Sequence, residues 1–374
     1  MGTTRIEDLV APPVRRLQPY IPGKPIAELE REYGVHDIIK LASNENPLGP
    51  GPRARAAMSA AIAEVGLYPD GSGFELKRAL AGRHRVPVEW ITLGNGSNDI
   101  LVLLAEAFLT VDTEAVYSQY CFAVYPIAVQ AVGAIARVAS ARPANDRMPL
   151  GHDLDAMAAL VTARTRLIFI ANPNNPTGTW LDGSSLLKFL RALPDTVIAV
   201  VDEAYFEYSR DADCADASEW LRELPNLVVA RTFSKAHGLA GLRVGYALSQ
   251  PQVAETLNRL RQPFNVNSVA LAAAVAALGD PAHVSRTVAL NRAGIVTLRS
   301  GLEKLGLKVL PTAANFVLVD LGRAAGAVYE GMLRQGVIAR PVGNYGLPNH
   351  LRITTGTAEQ NQRAIAALAA ALGR

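Results

Sequence analysis

Residues 167–178 read LIFIANPNNPTG, an apolar run that ends in a turn rich in proline. The same arrangement recurs twice further along the chain, as TVIAVVDEAY (196–205) and NLVVARTFSK (226–235). The runs begin about 30 residues apart, which is the size of a strand–helix–strand unit. Each run is apolar at nearly every position, as expected for a parallel strand that is buried on both faces. These segments predict an α/β fold built around a parallel sheet.

The alternation of strands and helices continues toward the N-terminus. AVYSQ (115–119) and GAIARVA (133–139) are further candidate strands. NDILVLLAEAFL (98–109) and SSLLKFLRAL (184–193) have the apolar spacing of helices that pack on a sheet. Together with the three central runs they predict one doubly wound domain.

The last hundred residues show a different pattern, in which a long helix-like stretch at 283–306 is followed by candidate strands at 308–320, 337–342 and 350–356. This α+β pattern predicts a smaller domain. A length of 374 residues allows about two domains. The expected division is an N-terminal arm with part of the small domain (1–44), a large domain (45–275) and a C-terminal small domain (276–374).

Composition excludes several classes of protein. Hydrophobic residues make up 49% of the chain, which is too many for a disordered protein. The net charge is +3 and the basic residues are scattered, so no nucleic-acid partner is expected. Two cysteines form neither a disulfide framework nor a metal motif, and the histidines lack ligand spacing. Apolar stretches are shorter than the roughly 20 residues of a membrane span. We expect a soluble, cytoplasmic protein without a metal or a membrane partner.

The chemistry-bearing residues follow the three central strands. Open α/β sheets bind ligands beyond the carboxyl ends of their strands, and here those ends carry Asn175, Asp202 with Tyr205, and Lys235. A lysine amine has an ordinary pKa of about 10.4, so it is protonated and a poor nucleophile at neutral pH. Condensation with an aldehyde cofactor converts it into a Schiff base that can take part in catalysis. Such a cofactor needs a carboxylate at its pyridine nitrogen, the role predicted for Asp202. Asn175 and Tyr205 are predicted to donate to its phenolate oxygen.

A phosphate on that cofactor needs an anion site and its ring needs an aromatic cover. GNGSND (94–99) leads into a helix whose first amides, at Ser97 and Asn98, can face an anion. Ser234 and Arg243 are predicted to complete the phosphate site. Phe122 is the candidate for stacking on the ring.

Each of these residues also has an ordinary structural interpretation. A lysine after a strand is usually a solvated surface charge, and an aspartate there often caps a helix. GNGSND lacks the third glycine of a nicotinamide-binding turn. The Ser234–Lys235 pair has no second serine motif of a Ser–Lys hydrolase. The combination of residues, rather than any one of them, favours a pyridoxal-phosphate (PLP) enzyme.

At this point the sequence resembles the histidinol-phosphate aminotransferase family, a group of fold type I PLP-dependent aminotransferases. The matching stretches cover nearly the whole chain: LASNENPLGP (41–50), YPDGSG (68–73), GNGSND (94–99), ANPNNPTG (171–178), VDEAY (201–205), RTFSKAHGLAGLRVGY (231–246), RQPFNVN (261–267), NF (315–316) and LRITTGT (351–357). The resemblance implies a large domain with a mostly parallel seven-stranded sheet and a smaller α+β domain. It also implies that Lys235 carries PLP and that Asp202 contacts the pyridine nitrogen.

The resemblance implies further site residues. Tyr68 matches a tyrosine that reaches the cofactor phosphate of the neighbouring subunit, which implies a homodimer with shared active sites. Arg352 matches the arginine that grips a substrate carboxylate in general aminotransferases, and that in histidinol-phosphate enzymes holds the substrate phosphate together with a residue matching Arg340. Tyr20 matches a tyrosine of the substrate pocket, and Asn46 is also expected to bind substrate.

Two differences from the family's usual sequence mean that the motifs do not determine the substrate. His237 stands where many relatives carry phenylalanine or tyrosine, and GNGSND replaces a more acidic turn. The expected reaction exchanges the amino group between histidinol phosphate and 2-oxoglutarate, in histidine biosynthesis. An aromatic amino-acid aminotransferase is the nearest alternative, and a PLP-dependent decarboxylase is a second. A PLP-sensing regulator would need a DNA-binding head, for which the N-terminal forty residues are too short.

Overall fold

The computed structural model describes residues 5–374, so the first four residues of the expected N-terminal arm lie outside the described residues. The helices are α1 (Ile6–Leu9), α2 (Ile26–Tyr33), α3 (Pro52–Ala61), α4 (Phe74–His84), α5 (Ser97–Phe108), α6 (Val124–Ala131), α7 (Leu154–Ala158), α8 (Gly183–Arg191), α9 (Pro251–Leu260), α10 (Ser268–Leu278), α11 (Pro281–Lys304), α12 (Ala325–Leu333) and α13 (Ala358–Ala371). The strands are β1 (Ile39–Lys40), β2 (Ile91–Gly94), β3 (Glu114–Ser118), β4 (Ile135–Ala139), β5 (Thr165–Ala171), β6 (Ile198–Asp202), β7 (Leu227–Thr232), β8 (Gly245–Ser249), β9 (Lys308–Val309), β10 (Phe316–Asp320), β11 (Val337–Ile338), β12 (Arg340–Val342) and β13 (Leu347–Thr354).

The central sheet has seven strands in the order β2-β8-β7-β6-β5-β3-β4. Within the described sheet β8 alone runs antiparallel to both of its neighbours, and the other adjacent pairs are parallel. This confirms the predicted α/β class with a mostly parallel seven-stranded sheet. The strand β8 follows the lysine segment and was not among the strands predicted from the sequence.

The central strands are apolar because helices cover both of their faces. All six residues of β7 are buried, and alternate residues of this strand enter two different clusters. Leu227 and Val229 pack in the core on one face, whereas Val228 and Ala230 pack in the core on the other. The edge strand β4, by contrast, alternates between half-buried and exposed positions along most of its length. Burial on both faces explains why the central runs lack the period of two that an open sheet shows.

A second sheet confirms the predicted smaller α+β unit. Its strands are antiparallel in the order β12-β13-β10-β9, and α11, α12 and α13 pack against it. The helix α13 begins at a capping box formed by Thr357 and Gln360, which satisfies amides that the helix leaves unpaired.

The N-terminal segment joins this smaller unit. β1 pairs in parallel with β11, and Leu29 of α2 is fully buried in a cluster with Leu333 and Ile338. Further toward the N-terminus, Pro13 accepts a hydrogen bond from Gln130 of the large unit (3.2 Å). The segment between these two anchors passes over the cavity described below.

The boundary expected after residue 275 falls inside α10, whose Ala277 packs in the core of the large unit. We propose that the division lies instead at the 81° bend between α10 and α11; the boundary after residue 44 stays a prediction. No single helix among residues 5–374 has the length and apolar character needed to cross a membrane, although the bent pair α10 and α11 meets that test when taken together.

Candidate active site

A cavity lies at the carboxyl ends of β5, β6 and β7, where the second sheet and the N-terminal segment cover it. Most of the site residues predicted from the sequence line this cavity together. They are Tyr20, Ser97, Asn98, Phe122, Asn175, Asp202, Tyr205, Ser234, Lys235, Arg243 and Arg352. The carboxyl ends of parallel strands share one edge of the sheet, which explains why side chains from distant segments meet here.

Asp202 ends β6 and is only 4% exposed. Its Oδ2 accepts a hydrogen bond from the hydroxyl of Tyr125 (2.9 Å). Its Oδ1 is buried and has no hydrogen-bond partner among residues 5–374. Burial raises the pKa of Asp202 to about 6, while the bond from Tyr125 acts in the opposite direction. The site therefore contains a carboxylate with one oxygen hydrogen-bonded to Tyr125 and the other free to accept a hydrogen bond from a ligand.

Lys235 lies in the loop that follows β7, and its Nζ donates to the carbonyl oxygen of Ser43 (3.1 Å). Burial, and next the positive charge of Arg352, lower the pKa of Lys235 to about 8. A neutral amine is thus accessible near neutral pH. The loop turns back at Gly238, whose φ of +71° favours glycine and where a Cβ would collide with the carbonyl of Gly49. This close approach fixes the lysine loop against the segment that follows Asn46.

Tyr205 and Asn175 lie beside Lys235. The hydroxyl of Tyr205 accepts a hydrogen bond from the amide of Asn44 (2.7 Å), and burial raises its pKa above the ordinary range. The amide oxygen of Asn175 accepts a hydrogen bond from the guanidinium of Arg352. These contacts connect the ends of β5 and β6 to the N-terminal segment and to β13.

The opposite end of the cavity can bind an anion. Gly96, with φ of +82°, precedes the twelve-residue helix α5, so the first amides of that helix, at Ser97 and Asn98, are available to a ligand. The guanidinium of Arg243 donates to the hydroxyl of Ser234 (3.3 Å). A helix N-terminus beside a planar cation is a phosphate-binding arrangement.

Three of the predicted residues do not line the cavity. Tyr68 is 84% exposed and stacks on Phe264 with ring centroids 4.8 Å apart. The amide of Asn46 donates to Ala236 (3.0 Å) and to Thr287 (3.0 Å), so it supports the lysine loop from behind.

Arg340 is the third predicted residue outside the cavity. It donates to the carbonyl oxygen of Ile21 (2.6 Å) and lines a neighbouring cavity under the N-terminal segment. Its strand position is directly opposite Arg352, so the two arginines are neighbours on adjacent strands of the second sheet.

His237, the departure from the usual aromatic residue, points away from the cavity. It is buried, its Nε2 lies 3.4 Å from Glu207, and it packs at 5.0 Å from the ring of Phe233. It therefore leaves the residues that line the cavity unchanged.

Sequence reasoning missed several residues of the site, namely Ser43, Asn44, Tyr125 and Thr232. Tyr125 carried no local signal, because Phe122 precedes the first residue of α6 and the hydrogen-bond partner of Tyr125 lies 77 residues away. Asn44 lies in the LASNENPLGP motif, from which only Asn46 was selected.

Comparisons with known proteins agree with this geometry. Residues 36–368 match the model of the family described as aminotransferase class I and II. The chain is 56% identical to histidinol-phosphate aminotransferase 2 of Methylococcus capsulatus, over 97% of this chain and 98% of the relative. It is 54% identical to histidinol-phosphate aminotransferase 2 of Pseudomonas fluorescens, over 98% of both chains.

A solved structure extends the agreement to the fold. The histidinol-phosphate aminotransferase of Sinorhizobium meliloti, in complex with pyridoxal-5'-phosphate, superposes with a TM-score of 0.89 at 29% identity and covers 97% of each chain. The resemblance stated from the motifs is thereby confirmed. The chain belongs to the class I and II aminotransferases and, within them, to the histidinol-phosphate aminotransferase family.

Proposed function

We propose that this protein is a PLP-dependent aminotransferase that interconverts histidinol phosphate and imidazole acetol phosphate, with 2-oxoglutarate and glutamate as the second pair. The observation that carries the proposal is the meeting of Lys235, Asp202 and Arg352 in one cavity of a chain from this family. The first two residues suit the cofactor, and the third suits an anionic group of the substrate.

The residues present fit PLP. The unpartnered Oδ1 of Asp202 is a buried acceptor without a donor, which a protonated pyridine nitrogen would supply. Ser97, Asn98, Ser234 and Arg243 would hold the phosphate. Asn175 and Tyr205 would donate to the phenolate oxygen, and Phe122 would cover the ring. When bound, PLP supplies an electron-accepting ring that stabilises negative charge on the substrate carbon.

The chain's own residues then account for proton transfer. The Nζ of Lys235 would take a proton from the amine-bearing carbon of the substrate and deliver it to the former aldehyde carbon of the cofactor, and the second half of the cycle would reverse this transfer. A lysine pKa near 8 leaves part of the amine neutral at physiological pH, as a general base requires. Asp202 would stay ionised beside the positive ring nitrogen of a bound cofactor, because the opposite charge favours the carboxylate.

The substrate end of the cavity contains the guanidinium group of Arg352, and Arg340 lies on the adjacent strand outside the cavity. Arg352 is held by Asn175 and by the carbonyl oxygen of Ala42 (2.7 Å), while its buried Nε has no partner among residues 5–374. That nitrogen is available to an anion. We propose that Arg352 and Arg340 hold the substrate phosphate, with Tyr20 covering the imidazole. Asn46 acts on substrate only through the lysine loop that it supports.

Histidinol phosphate is expected to be the preferred donor, since its phosphate can pair with both arginines. The test is a half-reaction titration of the purified, cofactor-loaded protein with histidinol phosphate, histidinol, phenylalanine and tyrosine, followed by the loss of absorbance of the lysine-bound cofactor. Histidinol serves as the matched control because it lacks only the phosphate. Loss of one charged hydrogen bond costs about tenfold in affinity, so histidinol should saturate at a concentration at least that much higher.

Other results of the titration would replace the proposal. Faster conversion of phenylalanine or tyrosine would identify an aromatic amino-acid aminotransferase, because Arg352 could bind a carboxylate equally well. Release of carbon dioxide from an amino acid would identify a decarboxylase.

We also propose a homodimer in which Tyr68 completes the partner's phosphate site. Support comes from an exposed apolar patch around that residue, formed by Ile62, Val65, Leu67, Tyr68, Phe74 and Phe264. Patches of this kind on a folded chain mark interaction surfaces. In addition, Tyr68 lies outside the cavity of its own chain.

Shared sites predict complementation between inactive subunits. Tyr68→Ala and Lys235→Ala should each lose most activity, whereas their co-expression should restore part of it in hybrid dimers that contain one intact site. Steady-state assays of the purified hybrids measure this. Co-expression of Lys235→Ala with Asp202→Asn is the control and should restore nothing, because both residues belong to the same site. Equal results for the two pairs would contradict a role of Tyr68 across the interface.

A cytoplasmic location is proposed as well. It is supported by Cys121 and Cys214, which are both free thiols. Unpaired cysteines are usual in a reducing compartment.

A further inference from the structure

Tyr125 occupies a fixed position behind the candidate cofactor site. It lies in α6 and is fully buried. Its ring stacks on Phe169 with centroids 4.8 Å apart and an angle of 12° between the planes. Phe169 belongs to the central strand β5, so the tyrosine is held by the sheet itself.

The hydroxyl of Tyr125 is directed at Asp202. It donates to Oδ2 at 2.9 Å, and the other oxygen of the carboxylate has no partner in the described chain. A carboxylate fixed at one oxygen cannot rotate freely about its terminal bond, so Oδ1 keeps one direction. The ring of Tyr125 also meets Phe122 edge to face, with centroids 6.0 Å apart and planes at 90°. Tyr125 thus contacts both residues that would bind the cofactor ring.

We propose that Tyr125 is a positioning residue that orients Asp202 and keeps it ionised for the pyridine nitrogen. This inference rests on the proposed PLP function and adds a residue to its binding machinery. The energetic reason is that a hydrogen bond to a charged acceptor favours its ionised form. Burial alone acts the other way, since it raises the pKa of Asp202.

Few titratable or polar groups act on Asp202 and Tyr125. The amine of Lys235 and the backbone amide of Ala204 lower the pKa of Asp202, in addition to Tyr125. Tyr205 and Cys121 are the other titratable groups that act on Tyr125, and burial raises the pKa of both. Neither Tyr205 nor Cys121 titrates near neutral pH, and Lys235, whose pKa is about 8, is present in both the wild type and the variant, so a shift between their pH profiles reports on Asp202.

The test uses Tyr125→Phe, which removes one hydroxyl. Tyr117→Phe is the matched control, because Tyr117 is a buried tyrosine of the same apolar cluster that does not line the cavity. The probe is pyridoxamine phosphate, which has the cofactor's ring and phosphate but no aldehyde to condense with Lys235. Its dissociation constant is measured from pH 5 to 8 for each purified protein. Titration of the probe itself is common to all proteins.

Tyr125→Phe should weaken binding at neutral pH by about tenfold, the effect of losing a hydrogen bond to a charged group. The pH below which affinity is lost should also move upward, because the lost bond favoured the ionised carboxylate. Tyr117→Phe should match the wild type in both measurements. A merely structural tyrosine would not move the pH profile.

A double-mutant cycle completes the test. If Tyr125 acts through Asp202, the effect of Tyr125→Phe should disappear in an Asp202→Asn background. Wild-type affinity and an unchanged pH profile in Tyr125→Phe, or an equal loss when Tyr125→Phe is combined with Asp202→Asn, would overturn the inference while leaving the proposed function intact. Failure of the wild type to bind the probe would instead overturn both.

Discussion

Lys235→Ala is expected to abolish steady turnover of histidinol phosphate with 2-oxoglutarate. The substitution removes the amine that carries the cofactor and moves the substrate proton, and a positioned general acid–base group typically contributes about 10²–10⁴-fold. The buried amine donates only to the carbonyl oxygen of Ser43, so no neighbouring side chain is left unpaired by its removal. Steady-state rates of the purified variant measure the loss.

Two controls separate chemistry from folding in this experiment. Lys188→Ala removes an exposed lysine of α8 and should retain wild-type turnover. Lys235→Arg keeps the positive charge but cannot lose its proton, and should be as inactive as the alanine variant. Lys235→Ala should still bind pyridoxamine phosphate, because the phosphate site and Asp202 are untouched. Wild-type turnover by the alanine variant would exclude the proposed function.

Asp202→Asn has the second large expected effect. The amide has nearly the same shape as the carboxylate but no charge, so the ring nitrogen loses the partner that keeps it protonated. Removal of one preorganised electrostatic partner of a developing charge costs about 10²–10³-fold in turnover number. We expect a loss of that size in kcat, measured with saturating histidinol phosphate and added cofactor.

We also expect Asp202→Asn to change the pH dependence of the affinity for pyridoxamine phosphate. The pKa of Asp202 is about 6 because the carboxyl group is buried. As the pH falls below that value the carboxyl becomes neutral, so the wild type should bind pyridoxamine phosphate progressively more weakly. Asp202→Asn carries no charge to lose and should lack this component. Identical pH profiles of affinity for the two proteins would contradict the pairing of Asp202 with the ring.

Much of the fold could be predicted because a strand that is buried on both faces has a recognisable sequence pattern. The central strands are continuous apolar runs, and their spacing indicates helices between them. The antiparallel strand β8 was missed because its residues follow the lysine loop directly and lack a long apolar run. Strands such as β1 and β11 have only two residues, and their pairing depends on packing of the N-terminal segment rather than on local pattern.

The site could be predicted where residues follow strands. Asp202 and Lys235 stand at strand ends, whose position at one edge of the sheet is a rule of topology. Asn44 could not be selected over Asn46, because its φ of +57° turns the chain and breaks the alternation of an extended segment. Tyr125 needed the tertiary fold, since its partner lies 77 residues away.

The origin of the cavity walls has an evolutionary consequence. Lys235, Asp202 and Asn175 follow strands of the large sheet, whereas Tyr20 and Arg352 come from the N-terminal segment and the small sheet. Apart from the contact between Arg352 and Asn175, the two groups belong to different units, so substitutions in one group after a gene duplication leave most of the other unchanged. A second copy of such a protein could acquire a new amine donor through changes in the small sheet alone, while inheriting a complete apparatus for the vitamin-derived cofactor.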